Sequence, residues 1–322
     1  MSADAPAYAE LHCVSNFTFL RGASHAEELI SQAKELGYTA LAITDECSFA
    51  GVVRAHSAIK KIGGGIQLLI GAEFRLDDGL RLVIIARHRA GYGRLSRLIT
   101  RGRRAAEKGR YRLTRDDLVA LLDDPTGTLA LWLPEMGRQI DDPRAEQGAW
   151  LRAHFANRAW IAVELTRDGH DRERLAQARA LGREYNLPLT AAGDVHMHLR
   201  ERRGLQDALT AVRHGVTLAE AGAHLHPNGE RHLRERERLA KLYPPELLAE
   251  TVKIAGLVDF SLGELRYEYP RELVPAGETA ASHLRQLTEA GARRRWPAGI
   301  PEKMRAQIDY ELALIVELGY ES

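Results

Sequence analysis

Seven short, nearly continuous apolar runs constrain this chain more than any other feature: residues 8–13, 39–44, 67–71, 80–86, 128–133, 160–165 and 188–192. Strands without polar alternation are buried on both faces, which argues for a parallel sheet flanked by helices. Most runs are separated by helical patterns. One spans residues 24–37 and opens on a capping box between Ser24 and Glu27; another spans 50–62 and is stopped by Gly63-Gly64-Gly65. The Asp77-Asp78-Gly79 turn marks a hairpin, so at least one strand pair is open to being antiparallel. Seven such units fit a closed or nearly closed barrel better than an open doubly wound sheet. The segment LHCVSNFTFLRG after the first strand lacks the GxGxxG turn of a dinucleotide-binding fold.

Beyond residue 194 the pattern becomes helical, with helices expected at 200–212, 233–242 and 245–258. An extended connector with two prolines is expected at 266–280, and the domain boundary at 270/271. The last stretch, 281–322, carries two helical patterns, too few for a core, and reads as the lead-in to a larger domain that the chain does not contain.

Apolar residues at 45% and charged residues at 28% of 322 exclude a disordered or fibrous chain. Forty-five basic against 44 acidic side chains leave a net charge of +1, so only local charge can argue for nucleic acid. Cys13 and Cys47 form no CxxC pair, and the chain opens without a secretion signal; reduced thiols in the cytoplasm are expected. No apolar run approaches the roughly 20 residues that span a bilayer.

In a barrel of parallel strands the site is built from residues at the strands' carboxyl ends. Those ends carry His12, Asp45-Glu46, Glu73, Glu164 and Asp194-Val195-His196, all but Val195 of a type that can ligate metal. A lone His12 is more often a satisfied hydrogen-bonding histidine, and Glu73 alone could be a rim ion-pair partner. Asp194-x-His196 is stronger, because alternate strand residues point to one side.

These segments also carry a resemblance. YAELHCVSNFTFLRGASHAEELISQAKELGYTALAITDECSFAGVVRAH, IGAEF, AAGDVHMHLRERRGLQDALTAVRHG, HPNGERHLR and LRYEYPRELVPAGETAASHL together resemble the amino-terminal PHP (polymerase and histidinol phosphatase) domain of the error-prone, C-family bacterial DNA polymerases. The resemblance implies a distorted seven-stranded β/α barrel, followed by helices leading into an absent palm domain. It implies translesion synthesis and DNA repair for the parent protein, with Mg²⁺ held by that palm, and DNA, the sliding clamp and the proteins of the mutagenesis cassette as partners.

It also implies a ligand set. The His-x-His pair of metal-active members maps to His12 and Val14, the ligand of the following loop to Arg21, and the TDH histidine to Glu46; Glu73, Asp194 and His196 match as they stand. Ligands expected after strands four and five have no His or Cys counterpart, the latter falling near Trp132. Val14 offers no donor, and the Arg21 guanidinium is itself a permanent cation, able to pair with Glu73 or Asp194. The expectation is a structural barrel with no tightly bound cofactor. The alternatives are a Zn²⁺- or Mn²⁺-dependent phosphoesterase or 3′-5′ proofreading nuclease, and a pure interaction module.

Between residues 87 and 115 eleven Arg or Lys face one acid, Glu107. Arg101, Arg103, Arg104, Lys108, Arg110 and Arg112 are the nucleic-acid candidates there. The competing reading is a helix face docked against Asp116, Asp117, Asp123 and Asp124.

Overall fold

The computed structural model describes residues 5–124, 126–136, 142–265 and 274–321. Each apolar run overlaps a strand: β1 (Ala9–Glu10), β2 (Ala40–Ile43), β3 (Gln67–Arg75), β4 (Arg81–Ala86), β5 (Thr128–Trp132), β6 (Ala159–Glu164) and β7 (Leu189–Ala192). The helices are α1 (Ala26–Glu35), α2 (Val52–Lys61), α3 (Arg89–Arg104), α4 (Arg115–Leu121), α5 (Arg144–His154), α6 (Asp171–Tyr185), α7 (Arg203–His214), α8 (Arg236–Leu242), α9 (Pro245–Gly256), α10 (Ala280–Arg295) and α11 (Glu302–Leu318).

The strands form one sheet in sequence order, β1 to β7. Four of its pairings are parallel, but β4 runs antiparallel to both β3 and β5. The Asp77-Asp78-Gly79 turn is too short for a crossover, so it reverses the chain directly. The parallel sheet is therefore corrected at β4. A second correction follows: β3 does not end at Gly71 but runs on to Arg75 to pair with β4, so Glu73 lies within a strand. The sheet closes on itself beyond its first and last strands, where Val14 N–H donates to Val195 O at 2.9 Å and Val195 N–H to His12 O at 2.9 Å.

Alternate residues of every strand fill the lumen, among them Leu11, Ala42, Leu69, Val83, Leu131 and Ala162. Helix α9 contributes Ile254 and Ala255 to the same cluster, and Val258 just beyond it joins them. It lies across the amino-terminal ends of the parallel strands: Thr251 accepts from Ala9 N–H at 3.1 Å, and Gln67 donates to Val258 O at 2.9 Å. That end is stoppered, and the carboxyl ends form the other mouth. The opposite strand faces pack beneath the surrounding helices through residues such as Ile43, Phe74, Ile84 and Trp132. At α1 the capping box sits one residue later than predicted, with Glu28 accepting from the His25 N–H at 2.8 Å.

The chain divides into two compact units, residues 1–264 and 265–322. In the second, α10 and α11 are joined by an Arg285–Asp309 ion pair at 3.0 Å and by a pair between Arg305 and Glu289. Most of the predicted connector, residues 266–273, lies outside the described residues. No described helix is long and apolar enough to cross a membrane.

A Cβ on Gly71 would lie 2.8 Å from Ile84 O and 3.2 Å from Thr44 Cγ2, backbone and side chain of two neighbouring strands. Gly71→Val is expected to cost about 1–3 kcal/mol by overpacking. A thermal melt checks this, and a melting temperature equal to wild type would contradict the register of β3 against β4.

Candidate functional site

At the open mouth, His12 follows β1, Glu73 lies in β3, Glu164 ends β6, and Asp194 and His196 follow β7. The fully buried His12 ring sits among carboxylates. Its Nδ1 is 2.7 Å from Glu164 Oε1 and 3.8 Å from Asp194 Oδ1, and its Nε2 is 3.2 Å from Glu73 Oε2. Burial alone would depress its pKa, but the hydrogen bonds to Glu164 and Glu73 outweigh it and raise the value to about 9. The ring is an imidazolium donating from both nitrogens.

Glu73 is 2% exposed, and burial alone would raise its pKa. Arg21, His12 and Arg81 instead hold it well below the carboxylate range, with Arg21 Nη2 at 2.9 Å and Arg81 Nη2 at 2.8 Å. The other Arg21 nitrogen donates to Glu46 Oε2 at 2.7 Å. Of the two partners expected for Arg21, Glu73 is the one it takes, and Asp194 is ion-paired to Arg231 instead. His196 Nε2 is 3.0 Å from Asp194 Oδ1, and its Nδ1 accepts from Gln206 Nε2 at 2.6 Å. Burial, reinforced by Arg21, drives the His196 pKa well down, so this ring is neutral.

The charges at the mouth balance. Glu46, Glu73, Glu164 and Asp194 face Arg21, Arg81, Arg231 and the His12 imidazolium. Beside them lies a cavity of about 320 Å³ whose polar lining includes Arg81, Glu164, Arg174 and Arg231. Burial and the neighbouring Arg21, Arg81 and Arg174 bring the Arg231 pKa down to about 10. Mouth residues Leu20, Cys47 and Asp194 adopt φ of 61°, 46° and 44°, strain that persists only where packing and hydrogen bonds over-determine the backbone.

Sequence reasoning thus placed His12, Glu73, Asp194 and His196 in one connected network. Glu46 is instead at the rim, accepting from Arg21 and, at 3.0 Å, from the Tyr111 hydroxyl. Val14 serves the closure of the sheet through its backbone. Arg81, Arg231 and Gln206 were missed, although Arg231 lies inside the quoted HPNGERHLR segment.

His12, Glu164 and Asp194 each offer a ligand atom, all within 4.8 Å of one another, so the donor set suffices for one metal ion. To bind it, His12 would have to shed its proton and Asp194 its arginine. Val14 and Arg21 add no donor to this trio. General-base chemistry is equally constrained, because both nitrogens of His12 and of His196 are engaged.

Much of the basic segment is spent internally. Arg101 pairs with Asp117 at 3.0 Å, Arg94 with Asp123 at 2.7 Å, and Arg103 donates to the carbonyls of Cys47 and Glu46 at 3.1 and 2.9 Å. Of the six candidates, Arg101 and Arg103 thus already have partners within the chain. Arg104, Lys108, Arg110 and Arg112 are exposed, with no ion pair among the described residues.

Because His12 titrates near 9 when folded and near 6.5 when unfolded, its contribution is complete below about pH 6.5 and is lost as pH rises through 9. Denaturant titrations should show stability falling by up to about 3 kcal/mol across that window. His12→Gln should flatten the slope; an unchanged slope would contradict the imidazolium.

Residues 10–186 match the PHP domain family model. The chain is 55% identical over 321 residues to an error-prone DNA polymerase of Dechloromonas aromatica, covering 98% of this chain and 30% of that protein. It is 56% identical over 316 residues to one of Pseudomonas aeruginosa, with the same two coverages, 98% and 30%. The chain thus spans about 30% of the length of these relatives. Among solved structures it is similar to an amidohydrolase from Chromobacterium violaceum, at 17% identity and a TM-score of 0.39, over 59% of this chain and 88% of that one.

Proposed function

The chain belongs to the PHP domain family, and from that premise we propose that it is the amino-terminal, non-hydrolytic support module of an error-prone DNA polymerase. The observation that carries this reading is Arg21. Its guanidinium bridges Glu46 and Glu73 at 2.7 and 2.9 Å, supplying from within the chain the positive charge that a metal cluster would otherwise bring. The barrel then needs no ion to neutralise its carboxylates. Nucleotidyl transfer and its Mg²⁺ belong to a palm domain outside residues 1–322. In this reading the parent protein acts in the cytoplasm, in translesion synthesis and DNA repair, with the sliding clamp and the mutagenesis proteins as partners. The identity to error-prone polymerases over 98% of this chain supports the assignment.

The test is metal content. After incubation with Zn²⁺, Mn²⁺ or Mg²⁺ and desalting, elemental analysis should find far less than one equivalent, and a phosphomonoester and 3′-ended single-stranded DNA should both remain intact. The donor trio His12, Glu164 and Asp194 defines the opposite result: one or more retained ions, with hydrolysis abolished by Asp194→Ala, would make the barrel a phosphoesterase or proofreading nuclease. Arg21→Gln leaves two carboxylates without their shared cation and should destabilise the fold by about 3–5 kcal/mol, read by denaturant unfolding.

A further inference from the structure

The loop between β1 and α1 holds two phenyl rings in solvent: Phe17 is 36% exposed and Phe19 82%. This loop is firmly anchored. Thr18 Oγ1 and Ser15 Oγ both donate to the buried Asp45 carboxylate at 2.7 Å, and Arg21 N–H donates to Thr18 O at 3.0 Å. A segment pinned on both sides of Phe17 and Phe19 cannot fold its rings inward, so their exposure is built in.

The rings line a recess of about 370 Å³ together with Glu46, Arg103, Arg110 and Tyr111. Glu46 is neutralised there by Arg21 and so does not repel anions. Arg104, Lys108 and Arg112, near Arg110 in sequence, are exposed as well, with Glu107 the single acid between residues 104 and 112. The Arg54 guanidinium lies 5.9 Å from the Phe17 ring centroid and is itself paired with Glu27 at 3.1 Å, so the unpaired positive charge beside the rings is that of Arg110.

Flat apolar faces beside unpaired cations fit a polyanion with exposed aromatic bases. A duplex hides its base faces, and an acidic peptide has no use for the rings. We propose that this recess binds single-stranded nucleic acid, with bases stacked on Phe19 and Phe17 and phosphates held by Arg104, Lys108, Arg110 and Arg112. The inference goes beyond the support role of the barrel mouth, and it stands whether or not that mouth binds metal.

The experiment is fluorescence anisotropy of the whole chain with a labelled thymidine oligomer of about 20 nucleotides, between about 50 and 200 mM salt. Binding should weaken linearly on a logarithmic salt scale, and Arg110→Ser should reduce that slope by about 0.7, the loss of one phosphate contact to a single strand. Phe19→Ala should weaken binding on the order of tenfold with the slope and melting temperature unchanged. A uridine oligomer should bind comparably, as stacking does not read the sugar. Three results would overturn the proposal: no binding at the lowest salt, wild-type affinity in Phe19→Ala, or duplex DNA or polyglutamate competing as well as the single strand.

Discussion

One buried carboxylate, that of Glu73, organises the mouth of this barrel. An ionised group at 2% exposure is tolerated only when its lost hydration is replaced, and Arg21, Arg81 and His12 replace it from three different segments. Its backbone is tied as well, with the Cys47 N–H donating to Glu73 O at 2.8 Å. The loops after β1 and β2 and the start of β4 therefore converge on a single residue of β3. The position of Arg21 fixes Glu46 in turn, and the same loop carries the exposed rings of Phe17 and Phe19.

Once arginines neutralise the mouth, its chemistry changes character. A metal cluster would polarise water, whereas a guanidinium is a fixed cation with no open coordination position. The network also leaves His12 and His196 without a free lone pair. In the proposed reading the arrangement supplies specificity of fold: strand ends are drawn together by directional ion pairs, above a lumen sealed at the opposite end by α9. The exposed cations at and beyond the end of α3 take no part in this network.

The sequence announced the architecture through the unbroken apolar runs, since burial on both faces is a local property that composition records. The reversal of β4 was legible only from the Asp77-Asp78-Gly79 turn. The extension of β3 to Arg75 was not, because strand length there is set by pairing with β4, a tertiary event. Residue types at strand ends identified His12, Glu73, Asp194 and His196. Their actual partners Arg81, Arg231 and Gln206 come from β4, the segment before α8 and α7, and one arginine among 38 carries no local mark of its role. Likewise the charge run after residue 87 could not separate Arg101, held by Asp117, from Arg110, which is not.

The most direct test of the built-in cation is a double-mutant cycle on Arg21 and Glu73. If each exists to satisfy the other, Arg21→Gln and Glu73→Gln should each destabilise the chain, and the double variant should be less destabilised than their sum by a coupling of about 2 kcal/mol or more. Additive losses within about 0.5 kcal/mol would contradict the account, because they would mean that Arg21 does not carry the charge of Glu73.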